Sequence, residues 1–361
     1  MTATILAPFF TPVFAESPGT YSRRSDFVFR PLPDRDGYTQ AYSVNFRGNG
    51  FRIYTVFLVS NIGPKSLNNG VAVLIYHKGQ SRVFTSEQDY RTLKAKPGEL
   101  DLHSGPHRLS LSGGGPPFGK QDRLKLFVTS PQFQLELDFT NLQRGVRLSG
   151  GPVRVSDEPS DFVRADIPIV HANARGKMLF QGERYDLRGV GGMDSIYTNV
   201  SPHKYAKRFS LTRSYNPANG FFLGVIQGDG AFPGNFQARF AWLQSGAVKS
   251  CGVVNKIEVL RSRVDPLSGY KLPVKTQYLA RTDPGEECRI TETVQRPAGG
   301  YSVLASISGF LRWILSVFFA RPYILHFETE IVFACRESPE GEYLERSRFS
   351  NVQNSHYMIN E

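Results

Sequence analysis

Gln132–Asn141, QFQLELDFTN, sets Phe133, Leu135, Leu137 and Phe139 on one side of an extended chain and Gln134, Glu136 and Asp138 on the other. That strict alternation is the period of a half-buried β-strand. Residues 124–130 precede it across Ser130–Pro131 and read as its hairpin partner, and residues 146–155 follow with a turn at Gly150–Gly151. Upstream, residues 39–46, 51–60 (FRIYTVFLVS) and 71–77 (VAVLIYH, closed by Lys78–Gly79) have the same β character. Downstream, strands are predicted over 176–187, 207–215, 220–226, 236–244, 253–263, 271–280, 323–335 and 343–351. Strands recurring every ~8–12 residues, twice over, imply two tandem antiparallel β-barrels. The polar stretch 157–166 reads as the linker. The expected division is an N-terminal arm over 1–25, a first barrel over 26–166 and a second over 167–361.

One stretch departs from this period. Residues 301–322, YSVLASISGFLRWILSVFFARP, carry a helical stripe of Val303, Leu304, Ile307, Phe310, Leu311, Ile314, Leu315, Phe318 and Phe319. Pro297 and Gly299–Gly300 precede it, and Arg321–Pro322 stop it. The stripe predicts a helix over 303–319, roughly 25 Å long. That is short of a hydrocarbon core of about 30 Å, and Arg312 sits in its middle, so a membrane span is not expected. Such a helix would either cover a barrel end or touch a membrane surface, with Phe310, Leu311, Trp313, Ile314 and Phe318 as lipid-binding lid residues. The fold class expected is all-β with one long helix near the C-terminus.

The chain has 361 residues and a formal charge of +11, with 34 glycines, 23 prolines, 27 phenylalanines and 16 tyrosines. The basic surplus suits anionic partners, but the Lys and Arg residues are scattered. An anionic membrane surface fits better than nucleic acid, and a plain solvated surface fits too. The three widely spaced cysteines, Cys251, Cys288 and Cys335, argue against a disulfide framework and for a reducing compartment. The apolar start, MTATILAPFFTPVFA, lacks an early Lys or Arg and holds Pro8 and Pro12. It reads as a packed arm, an interfacial anchor, or a signal peptide for export. The first two leave a cytoplasmic protein that associates peripherally with membranes.

Few motifs carry chemistry. GGPPFGK at 114–120 fits the spacing of a phosphate loop, but Gln121 stands where magnesium needs Ser or Thr, and a β-type segment follows. GVGG at 189–192 reads as a turn or bulge. Of seven histidines only His103 and His107 are close in sequence, so no metal site is expected. No GxSxG occurs, and no cofactor motif stands out. A candidate acid–base pair is Asp194, just after the glycines, with His203 nine residues on.

Residues 182–211, GERYDLRGVGGMDSIYTNVSPHKYAKRFSL, resemble the middle of the fungal survival-factor family. The matching features are Gly189, Gly191, Pro202–His203 and the strand Ala206–Phe209, an inter-barrel motif. Further pieces agree in order: FLVSNIG ending at Gly63, Val254-Asn255-Lys256, DPLSGYKLP from Asp265, RPYI from Arg321 and GEYLERSRF from Gly341. The resemblance implies two lipocalin-like barrels and transfer of a ceramide-like or other acyl lipid between membranes, with a link to oxidative-stress survival. The wider AttH-like relatives include carotenoid hydratases and pericyclases, which implies an alternative: a cofactor-independent hydratase or cyclase acting on a polyprenoid or similar apolar substrate. Where those relatives resemble Gly-x-Gly-aromatic-x-Asp-His, this chain keeps Asp194 but has Ser195 for the His. The oligomeric state is open.

Overall fold

The computed structural model describes residues 21–26, 28–30, 37–61, 68–113, 121–131, 133–228, 232–303 and 322–359. They form two antiparallel sheets. In the first, the strands run in the order Gln80–Gln88, Asn68–His77, Phe51–Ser60, Thr39–Gly48, Glu183–Thr198, Phe162–Phe180, Phe133–Val146, Arg123–Ser130, His107–Ser112, Asp101–Ser104 and Leu93–Ala95. This sheet curls on itself. Ser104 near one end donates to Asn69 Oδ1 near the other at 2.6 Å. The second is a closed eight-stranded barrel: Arg208–Arg213, Asn219–Gln227, Phe236–Gln244, Ala247–Val264, Lys271–Thr282, Glu287–Ser302, Tyr323–Arg336 and Leu344–Met358, the last pairing with the first.

Alternation fills both interiors. Phe133, Leu135, Leu137 and Phe139 are buried with Tyr42, Phe46, Ile53, Phe57 and Val73 in the first core. In the closed barrel Phe221, Phe240, Phe333 and Phe349 pack ring on ring, with centroids 5.1–6.2 Å apart. An eight-stranded barrel is just wide enough for side chains to fill it. These rings occupy the place where a carrier would hold an acyl chain.

Three expectations are corrected. Among the described residues there is no α-helix, only short 3₁₀ turns, so the fold class is all-β with tandem barrel-like sheets and no long helix in its described part. Pro297, Gly299 and Gly300, expected to lead into that helix, lie within the strand Glu287–Ser302. Gly299 has φ +119°, and the register shifts between Pro297 and Gly299, so these residues make a bulge. Backbone pairing continues through Ser302 opposite Tyr323, and Val303 N–H donates to Pro322 O at 2.9 Å. The rest of the expected helix, with Phe310, Leu311, Trp313, Ile314 and Phe318, lies outside the described residues, as do residues 1–20 and the GGPPFGK stretch. Second, the division expected at 166/167 cuts through the strand Phe162–Phe180; the chain passes from first to second sheet between Thr198 and Arg208. Third, Cys288 and Cys335 face each other on neighbouring strands and form a disulfide, where the cysteine number and spacing argued against a disulfide framework. Cys251 is free.

The pleat sends neighbouring residues to opposite sides of the barrel wall. Thr212 points inward and Arg213 outward; Asn354 points inward and Ser355 outward. Inside, Glu292 accepts from Thr212 at 2.9 Å, Tyr278 at 2.9 Å and Asn354 at 2.6 Å. Burial raises its carboxyl above the usual range, partly opposed by these donors. The folded state therefore holds the proton more tightly than the unfolded chain, and stability declines as pH rises past the unfolded value of about 4.5. Glu292→Gln keeps an acceptor and removes the charge. We expect its thermal midpoint to exceed that of the parent at pH 8, by about 2–4 °C per kcal/mol gained, with the gap closing towards pH 4. Equal midpoints at both pH values would show that Glu292 ionises freely in the fold.

Candidate functional site

The outward face of the closed barrel meets the first sheet along a seam. Its centre is an ion pair between Arg213 and Asp194, 0% and 4% exposed. Asp194 also accepts from Asn45 Nδ2 at 3.3 Å. Arg213 donates to Ser355 Oγ at 2.8 Å, and Ser355 Oγ lies 2.8 Å from His326 Nδ1. The His326 ring stacks on Tyr54 with centroids 3.8 Å apart. Burial, with the nearby Arg213 and His356, holds His326 well below its usual value, so it is neutral. Gly192 lets the two halves approach: a Cβ there would stand 2.8 Å from the Tyr215 ring. The glycines at 189–192, read as a turn or bulge, lie inside the strand Glu183–Thr198.

Among the described residues, three clefts lie along the seam. A mainly apolar one of about 70 Å³ lies among Leu148, Ile167, Ile196, Leu211, Val225 and Tyr357. A second, of about 10 Å³, is bounded by Asn45, Tyr54, His326 and Tyr357. A third, of about 20 Å³, is bounded by Arg47, Arg52, Tyr54, Tyr215 and Glu328. Tyr357 is common to the first and second, and Tyr54 to the second and third.

Asp166 stands in the wall of the apolar cleft. It lies on the strand Phe162–Phe180 just before a register shift at Ile169. Arg164, two residues back on the same face, pairs with Asp166 and reaches Asp26 at 2.9 Å. Asp26 is gripped in turn by Arg147 through two bonds of 2.6 Å. Among the described residues Asp166 Oδ1 is buried with no hydrogen-bond partner. Burial pushes the Asp166 carboxyl up to about 6, against the pull of Arg164. A buried carboxyl with one oxygen tied and one unused, in an apolar wall, has the makings of a proton donor.

The residues singled out in the sequence are dispersed. Asp194 is buried, but its partners are Arg213 and Asn45. His203 sits exposed in the 3₁₀ turn Pro202–Lys204 that leads into the second barrel. Pro202 accepts from Ala206 N–H at 2.9 Å in that turn. Gly189 and Gly191 pack against the backbone carbonyls of Arg47 and Asn45. Phe209 lines the apolar cleft and meets Tyr205 edge to face. Asp166 and Arg213 were not anticipated. Asp166 lay in the supposed linker, where the mixed Arg164–Asp166 spacing was its one visible sign. Ligand atoms of Glu286, Cys288 and Cys335 lie within 4.8 Å of one another. The two sulfurs are bonded together and Glu286 pairs with Arg346 at 3.1 Å, so that trio offers a metal no thiolate.

No protein-family model matches the chain, and no curated protein matches it in sequence. Among solved structures, the fold is similar to a putative AttH from Nitrosomonas europaea, at 12% identity and a TM-score of 0.60, over 96% of this chain and 99% of that one. It is also similar to CghA solved with Sch210972, at 10% identity and a TM-score of 0.55, over 98% of this chain and 99% of that one. A second CghA structure matches at 11% identity and a TM-score of 0.52, over 98% and 99%. The likeness is one of architecture and agrees with the AttH-like side of the expected kinship. The survival-factor resemblance rests on the sequence motifs.

Proposed function

We propose that this protein is a cofactor-independent enzyme of hydratase or cyclase type, acting on an apolar unsaturated small molecule in the seam, with Asp166 as the proton donor. The observation that carries this reading is the Asp166 carboxyl, raised to about 6, with one buried oxygen that has no hydrogen-bond partner among the described residues, in a residue that lines the apolar cleft. Protonation of a carbon–carbon double bond leaves a cation that water traps in a hydratase or a second double bond traps in a cyclase. In either case the Asp166 carboxylate takes back a proton, from the bound water or from a carbon beside the new cation, to give the neutral product and restore the acid. The ion pair of Asp26 with Arg147 fixes Arg164, and Arg164 fixes Asp166. CghA, which shares the architecture, holds Sch210972, so the scaffold admits small organic molecules. The alternative of an acyl-lipid carrier docking on anionic membranes needs an open barrel interior, and the phenylalanine cluster of the second barrel argues for the seam instead.

The test is turnover of polyprenoid and related substrates in D₂O, with deuterium uptake read by mass spectrometry. Asp166→Asn is expected to lower kcat by about 10²-fold or more. The acid form is the active one, so kcat/KM of the parent should fall about tenfold per pH unit above about 6. An Asp166→Asn variant that turns over as fast as the parent removes Asp166 from the reaction.

A further inference from the structure

The third cleft has an unbalanced charge. Arg52 and Arg296 both pair with Glu328, and Arg47 stands 3.4 Å from the same carboxylate. Three guanidiniums thus share one acid whose side chain is 7% exposed. Arg213 and Asp194, next along the seam, neutralise each other and contribute no compensating negative charge. Among the described residues two donors there are unused: Arg52 Nη1 and the Tyr215 hydroxyl are buried without a hydrogen-bond partner. Arg52 is 14% exposed and its guanidinium lies 5.7 Å above the Tyr76 ring, while Arg47 also donates to Asn351 O at 3.0 Å. Both arginines are thereby held in place. Phe46, Phe327, Asn351 and Gln353 complete the lining. A void of about 20 Å³ seats a water or a group of similar size.

Buried guanidinium donors without partners are costly, and a planar anion is the group that satisfies them best. We infer that this basic cleft binds the carboxylate of the ligand, so that the substrate class is an apolar carboxylic acid. Its acid group accepts from Arg52 Nη1 and the Tyr215 hydroxyl, beside Arg47, and its hydrocarbon part extends along Tyr54 and Tyr357 towards Leu211 and Val225. The inference deepens the proposed function and rests on the seam being the substrate site; it does not depend on which residue donates the proton. Glu328 acts as a positioning residue: it spaces the arginines and leaves a surplus of positive charge.

The probe is oleate below its micellar concentration, compared with oleyl alcohol, by equilibrium dialysis at constant ionic strength. The expected result is that oleate binds at least tenfold more tightly than the alcohol, as a charge-assisted pair demands. Arg47→Gln, at a position 41% exposed and so expected to fold, should erase most of that preference while leaving the alcohol unaffected. Arg52→Lys keeps the charge but loses the second donor arm, and should weaken oleate by a smaller factor. Inorganic phosphate at millimolar concentration should not displace oleate; displacement would mean that the cleft is a free-anion site and would overturn the assignment of an organic acid. Equal binding of acid and alcohol, or binding of neither, also overturns it. Asp166→Asn should bind oleate as the parent does. If it does so and still turns over substrate, the proton-donor reading fails and the carboxylate site stands.

Discussion

Arg213→Met is expected to lower the unfolding free energy by about 3–5 kcal/mol, the usual cost of leaving one half of a buried ion pair without its partner. Arg213 is fully buried, and its removal strands the Asp194 carboxylate with Asn45 alone. It also takes a donor from Ser355, on which His326 depends. Asp194→Leu alone should cost a similar amount, because a guanidinium then lacks its charge partner. The double substitution should be less damaging than the sum of the two, since apolar replacement of both partners removes the desolvation cost. Urea titration of the four proteins measures this. A loss below about 1 kcal/mol for Arg213→Met, or simple additivity in the cycle, would show that the pair is not what holds the sheets together.

The period of the strands was readable because the pleat writes itself into the sequence. Residues 133–139 alternate in type and alternate in burial, and the same holds for Lys271–Thr282. The seam was harder to read, because it depends on which outward faces meet. Arg213 looks like a solvent-facing strand residue until the first sheet covers it. Asp166 sits in a polar stretch that resembles a linker; Arg164 ties it to Asp26, which Arg147 holds in turn, and Asp26 lies far from all three in sequence. Asp194 drew notice by following a glycine run, but its partner comes from the other barrel and not from His203. The bulge at Pro297–Gly299 misled for a physical reason. Proline and glycine mark a helix entrance and a strand irregularity with equal ease.

A second large effect concerns acid. His326 and His356 are both 3% exposed. Burial and neighbouring arginines keep His326 well below its ordinary value and take His356 down to about 3. In the unfolded chain each binds a proton near pH 6.5. The unfolded state therefore takes up protons that the folded state refuses, so stability is full above about 6.5 and is lost as pH falls below it. By pH 5 His356 alone should cost about 2 kcal/mol. Because Glu292 and Asp166 pull the other way, the readout is the gap between parent and variant: chemical denaturation at pH 8, 6 and 5 should show His356→Gln gaining on the parent as pH falls. A gap that stays level from pH 8 to pH 5 would mean that the His356 imidazole accepts a proton within the fold.

The Cys288–Cys335 bridge joins positions 47 residues apart in sequence. It ties the two strands that flank residues 304–321 into one covalent ring. A chain clipped anywhere inside that ring remains a single molecule, with both cut ends held to the same barrel wall. A chain nicked there therefore stays covalently joined until a reductant opens the ring.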